Sequence, residues 1–480
     1  MILIHTVAPG ETLFSIAARY GVTVASLVEI NQPPNPDNLV IGQTLIVPTV
    51  GLTYTVRPGD TLFRIAQTFG ITVASLVAAN RIADPNLIFP GQILVVPGWE
   101  ALIHTVAPGE TLSGLALAFG TPLALILAVN VIPDPNLIFP GQTIAIPLRG
   151  VERRPLVTNG FILPVSLGAA RRQLAPPVGP QLTYVSIFDF PADGTGGVVI
   201  PNYGPVAQAA REQNIAPLAV LTNFTGGNFS PDLARSVLAN AAVRERTIDS
   251  FIAAIRAGDL VGSMVDFENM YPEDRNLYTA FIGELTARLR PLGLVAAIAV
   301  APKWADFPNA PWVGAFDYAA LGAEVDFMFI MTYEWGWVGG PPQPVAPVNL
   351  VRRVIAYATS LVSPSRIMQG LPLYGYDWPL PDSPETLAST VDPQQAISLA
   401  ARYGAVISFM PVAETPTFNY TDAAGQAHVV YFEDARSVRA KYQVTRDFNL
   451  MGAGYWQLGD AFPQNWAGVR EMFAVRKVTA

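Results

Sequence analysis

The sequence predicts an α/β protein: an eight-stranded (β/α)8 barrel with a small α+β insertion, preceded by three small βααβ modules. Three observations predict it. Residues 5–48, 54–97 and 104–147 align with one another without a gap, which is the signature of a repeated supersecondary unit. From about residue 156 onward, apolar β-like runs alternate with amphipathic stretches, as in a parallel sheet with helical crossovers. The fourth of those runs ends in Met264-Val265-Asp266-Phe267-Glu268-Asn269, with two carboxylates where a strand usually carries packing residues. A chain of 480 residues is long enough for two to four such units.

Each repeat opens on His or an aromatic residue followed by Thr-Val-x-Pro-Gly-(Glu/Asp)-Thr-Leu, at Thr6–Leu13, Thr55–Leu62 and Thr105–Leu112. The Pro-Gly pair marks a turn, and Thr12, Thr61 and Thr111 are placed to cap the helix that follows. Gly21, Gly70 and Gly120 are its stops. A second helix ends at Asn31, Asn80 and Asn130, and Gly-Gln-x-(Leu/Ile)-x-(Val/Ile)-Pro closes each unit at Gly42–Pro48, Gly91–Pro97 and Gly141–Pro147.

These residues resemble the lysin motif (LysM), so the modules read as residues 1–49, 50–98 and 99–148. The resemblance implies binding of N-acetylglucosamine polymers such as peptidoglycan or chitin. It places the sugar groove beside Gly10, Thr12 and Leu13, beside Gly59, Asp60, Thr61 and Leu62, and beside Gly109, Thr111 and Leu112. Three weak sites in tandem imply avidity along a repetitive polymer. Repeat one departs from the others at Asn35–Ile41, where they read Asp-Pro-Asn-Leu-Ile-Phe-Pro.

A basic segment at residues 149–155 reads as a linker, leaving 156–480 for the barrel. Its strands are expected near Leu156–Leu163, Tyr184–Phe190, Ala216–Asn223, Gly262–Glu268, Leu294–Ala301, Val325–Tyr333, Ile367–Leu373 and Gly452–Leu458. A hairpin insertion is expected from about Phe409 to Lys441. Catalytic side chains in such barrels sit at the C-terminal strand ends. Residues i and i+2 of a strand share a face, so Asp266 and Glu268 are expected as neighbours whose coupling raises a pKa.

Val265–Asn269, Tyr271–Arg275, Phe329–Trp335, Gly370–Trp378 and Gly454–Gln457 together resemble the family 18 glycoside hydrolases, a TIM-barrel family, and more closely their spore germination and cortex-lytic branch. The resemblance implies substrate-assisted retaining hydrolysis, in which the sugar's own acetamido group is the nucleophile. Glu268 is then the general acid and base, Asp266 orients the acetamido N–H, and Tyr333 donates to its oxygen. Trp456 is the apolar floor of the cleavage subsite, with Asn269, Glu334, Trp335, Gln369 and Trp378 as further substrate contacts. The family pattern D-x-x-D-x-D-x-E is incomplete, because Val261 and Met264 occupy its first two acidic positions. Asp266 is therefore expected to lack the acidic neighbour that couples to it.

Composition narrows the alternatives. A net charge of −8 without a basic block argues against nucleic acid and anionic membrane surfaces. Cysteine is absent and the three histidines are scattered, so neither a metal nor another cofactor is expected. The start lacks the features of a Sec signal, no run is long and apolar enough to span a membrane, and a monomer is expected. A peptidoglycan hydrolase associated with the bacterial spore cortex or coat is the leading reading. A chitinase of the same mechanism, or a non-catalytic wall-binding coat protein, is the alternative.

Overall fold

The computed structural model describes residues 3–150, 153–383 and 386–478, which form two compact units meeting at Arg153 and Arg154.

In the first unit each repeat folds as expected, with two short helices between two strands. The first helices, Leu13–Tyr20, Leu62–Phe69 and Leu112–Ala118, start at Thr12, Thr61 and Thr111, whose hydroxyls accept from the backbone N–H three residues on. Gly21 and Gly70 end the first two at φ of 65° and 61°. The asparagines closing the second helices do more than stop them. The amides of Asn31, Asn80 and Asn130 donate to Ile46, Val95 and Ala145 on the last strand of their module. Their side-chain oxygens accept from the N–H of the same three residues, so each clamps helix to sheet.

The modules are not separate beads. Strand Ile93–Thr105 closes the second module and opens the third without a break, pairing with Val50–Thr55 and Thr143–Arg149. Leu13, Ile16 and Leu45 of the first module share one buried cluster with Leu102, Leu112 and Ile144 of the third. Arg57 of the second module donates to the carbonyls of Leu127, Ala128 and Asn130 at the end of the third module's last helix, where a cation is favoured.

The second unit is a closed barrel of eight parallel strands: β1 (Arg154–Ile162), β2 (Tyr184–Pro191), β3 (Ala216–Thr222), β4 (Gly262–Asp266), β5 (Val295–Val300), β6 (Phe327–Ile330), β7 (Ile367–Pro372) and β8 (Gly452–Trp456). They are neighbours in chain order, and β8 pairs back onto β1. Arg154 and Pro155, read above as linker, already belong to β1, in register with Phe473 and Ala474 of a short added strand. The insertion is larger than a hairpin. It is a five-stranded antiparallel sheet from Gly375 to Tyr431 with helix Pro393–Tyr403 inside it. Residues 435–441, assigned to it from sequence, lie in the barrel helix Ala435–Asp447.

Candidate active site

β4 ends at Asp266, and the chain turns at once, with Asn269 at φ 50°. Asn223, fully buried just past β3, fixes this turn. Its Oδ1 accepts from the Glu268 N–H at 2.9 Å, and its Nδ2 donates to the Glu268 carbonyl at 2.8 Å and to Ser230 O at 2.9 Å. The Glu268 backbone is thereby held from both sides while its side chain is left for chemistry. Asn269, expected to touch substrate, donates to Phe229 O at 3.2 Å and braces the turn.

Asp266 is 3% exposed, and its Oδ1 has no hydrogen-bond partner in the protein. Burial pushes its pKa up to about 7, and the charge of Asp189 on β2 adds to the effect. The acidic neighbour expected to be missing is therefore supplied by another strand. Glu268 is also pushed well above the usual carboxylate range, first by burial and then by Asp266 and Glu334. A carboxylic acid that keeps its proton near neutral pH can serve as a general acid.

Tyr333 follows β6 and is 6% exposed, its pKa raised by burial and by the charges of Asp266, Glu268 and Glu334. Gly370 on β7 makes room for its ring, since an added Cβ would lie 2.8 Å from Tyr333 Cε1. Trp456 ends β8 partly exposed, packed against Phe161 at 5.5 Å and Phe188 at 5.0 Å between ring centroids. With Phe224 and Phe229 set edge-on against Phe188, this makes an aromatic wall suited to the apolar face of a pyranose.

Glu334, at φ 65°, accepts from Tyr374 and, at 3.0 Å, from Tyr376. The residue as a whole is exposed, but partial loss of water around its carboxyl raises its pKa while the two hydroxyls oppose the rise. Trp335 is half-buried in the same loop, its backbone N–H donating to Val345 O.

Two expected contacts are corrected. Gln369 is fully buried and turned away from the barrel mouth, accepting from Thr445 on the helix Ala435–Asp447. Trp378 is 1% exposed, and its indole N–H donates to Gly340 O, so it packs the root of the insertion. Sequence reasoning in turn missed Asn223, Asp189, Phe188, Tyr374 and Tyr376. Only the two tyrosines, inside Tyr374-Gly375-Tyr376-Asp377-Trp378, lay in a motif already singled out.

In the modules, the residues read as a sugar groove are largely committed to their own loops. Leu13, Leu62 and Leu112 are 4%, 3% and 2% exposed and turn into the cores, so their side chains cannot reach a glycan. The hydroxyls of Thr12, Thr61 and Thr111 are engaged as caps. Asp60 accepts from Tyr54 and from the Arg57 N–H, both at 2.7 Å. Glu11 and Glu110 repeat this with His5 and His104 and the N–H groups of Ala8 and Ala107. Burial alone would raise the pKa of Glu11 and Glu110, but these donors hold it below the usual range. Gly10, Gly59 and Gly109 stay open, at φ 78°, 85° and 84° with nothing near a Cβ position.

The comparisons with known proteins agree with this architecture. The LysM domain model matches residues 5–48, 54–97 and 104–147, and the model for glycosyl hydrolases family 18 matches residues 171–461. The chain is 39% identical over 479 residues to the cortical fragment-lytic enzyme of Bacillus subtilis, covering 99% of each. Its structure is similar to that of the spore cortex-lytic enzyme SleL of Bacillus megaterium, with a TM-score of 0.76 and 30% identity over 99% of each chain. It is also similar to a chitinase from Chromobacterium violaceum, with a TM-score of 0.61 and 26% identity over 67% of this chain and all of the other. Three LysM domains followed by an eight-stranded barrel, with an acid-bearing β4 and full-length likeness to cortex-lytic enzymes, make this chain a glycoside hydrolase belonging to glycosyl hydrolases family 18.

Proposed function

We propose that this enzyme cleaves spore-cortex peptidoglycan or its fragments after N-acetylglucosamine, by substrate-assisted retaining hydrolysis, and that its LysM modules hold it on the glycan. The carrying observation is that the likeness to a cortical fragment-lytic enzyme runs through modules and barrel alike, over 99% of both chains. In this reading Glu268 protonates the glycosidic oxygen and later takes a proton from water. Asp266 and Tyr333 hold the acetamido group as it attacks the anomeric carbon, and Trp456 lies under the ring. Burial and the neighbouring acids raise the pKa of Glu268, which favours the protonated form a general acid starts from. Glu334 supports the site through Tyr374 and Tyr376, and Trp335 lines a neighbouring subsite. In the same reading the protein acts at the spore, as a monomer.

Mass spectrometry of cortex muropeptides after incubation tests this. New reducing-end N-acetylglucosamine termini are expected, falling by about 10²- to 10⁴-fold in Glu268→Gln, the range typical of a lost general acid. The likeness to a chitinase at 26% identity supports a second reading. Turnover of chitooligosaccharides without any action on cortex would establish it in place of the first, and binding without cleavage of either polymer would refute both.

A further inference from the structure

β2 does not pair evenly with β3. Ile187 is opposite Ala219 and Phe190 opposite Leu221, so one extra residue is accommodated on β2, at Phe188 and Asp189. Such a bulge re-aims side chains and is common beside active sites. Here it sends Phe188 against Trp456 and leaves Asp189 half-buried, its Oδ2 accepting from Thr222 Oγ1 at 2.7 Å. Thr222 is the β3 residue in register with Asp266. The anchor of Asp189 is thus the direct cross-strand neighbour of Asp266. On β4 itself, the place two residues before Asp266 is filled by Met264, fully buried and without charge.

We propose that Asp189 takes over from the absent β4 acid as the carboxyl partner of Asp266, the two holding one proton between them in the free enzyme. Asp189 is then a positioning residue. It acts on the substrate only through the charge and orientation of Asp266. Two carboxyl groups in one poorly solvated site do not both ionise freely. The other titratable groups that act on Asp266 or feel its charge are Glu268 beyond β4, Tyr333 beyond β6 and Tyr278 on the helix Arg275–Leu289. None of these is a cation, so nothing in the set favours a second negative charge. The Oδ1 of Asp266, buried without a partner in the protein, is open to the acetamido N–H of a substrate.

The inference rests on the proposed role of Asp266, and the test separates the two. In full-length protein carrying Glu268→Gln, the side-chain carboxyl of Asp266 is followed by 13C NMR from pH 3 to 9, identified by its loss in Asp266→Asn. Adding Asp189→Asn, which still accepts from Thr222, is expected to lower the Asp266 midpoint by about one pH unit and to turn a two-step titration into one step. Thr222→Val, which weakens the hold on ionised Asp189, is expected to shift it the same way by less. It also stands in should Asp189→Asn fail to fold. In enzyme with Glu268 intact, Asp189→Asn should move the acid limb of the kcat/KM profile down by a similar amount, a change that mere loss of packing does not produce. An Asp266 midpoint unmoved by the folded variants overturns the inference whatever the activity. A shifted midpoint, together with a parent enzyme with Glu268 intact that cleaves no glycan, supports the carboxyl pair and overturns the proposed hydrolysis instead.

Discussion

Asn223 makes three hydrogen bonds around the Glu268 turn, and it touches neither proposed reacting group. Replacing it by Ala frees the Glu268 backbone without removing its carboxyl. The expected result is a fall in kcat of about 10²-fold, the scale of a misplacement near 1 Å, with KM little changed and Glu268 still titrating. Steady-state kinetics on muropeptides read this, and an unchanged kcat would remove Asn223 from the set of positioning residues. Asp266 carries a pH prediction. Its pKa is near its ordinary value of 3.8 when unfolded and about 7 when folded, so the folded state binds the proton more tightly. The contribution to stability is then fully present below about pH 4 and is lost as the pH rises through 7. Asp266→Asn should therefore melt at a higher temperature than the parent at pH 8, with the difference closing toward pH 4, as thermal unfolding across that range would show. Glu268 and Asp266 were legible in the sequence because two acids one residue apart stand out in an apolar run. Asp189 and Asn223 were not, because each is an isolated polar residue at a strand end whose partner is on another strand.

Elements were easier to read than the direction of their side chains. Every barrel strand lies where the apolar runs placed it, since burial on both faces demands continuous apolar sequence. Gln369 was misjudged because alternate residues of a strand face opposite ways and a difference of one residue exchanges barrel interior for helix layer. Trp378 was misjudged because its segment belongs to the insertion, whose first strand begins at Gly375 with no turn signal to separate it from β7. In the repeats, His5 pairs with Glu11, Tyr54 with Asp60 and His104 with Glu110, a pairing not read from the sequence, although there the longer acid accompanies His and the shorter accompanies the longer-reaching Tyr. The asparagine clamps were visible only as helix stops. Asn31 is 1% exposed, and cutting it to Ala leaves the backbone N–H and carbonyl of Ile46 without their partner. A loss of about 2–6 kcal/mol is expected, from two stranded polar groups at ~1–3 kcal/mol each. Urea unfolding of the intact chain would measure it, and a loss below ~1 kcal/mol would mean that water replaces the clamp.

At the scale of the whole molecule, the repeats predict three weak sites in tandem, and the folded unit adds a common core between the first module and the third. Gly21 and Gly70 offer a matched test of that sharing. Both end the first helix of their module in the left-handed region, at φ 65° and 61°, and an alanine at either pays about 1–2 kcal/mol of backbone strain. Their surroundings differ. A Cβ at Gly70 meets nothing, while one at Gly21 overlaps the backbone carbonyl of Ile103, on the strand that opens the third module. A backbone atom cannot swing aside as a flexible side chain would, so Gly21→Ala adds an overpacking cost of about 1–3 kcal/mol. It must either part the first module from the third or distort the strand Ile93–Thr105. Gly70→Ala is expected to lower the modules' unfolding transition modestly. Gly21→Ala should lower it further and reduce retention on insoluble peptidoglycan more, because separated modules no longer present their loops in fixed register to one glycan. Equal losses in the two variants, by calorimetry and by sedimentation with peptidoglycan, would mean that the modules act as independent beads in solution.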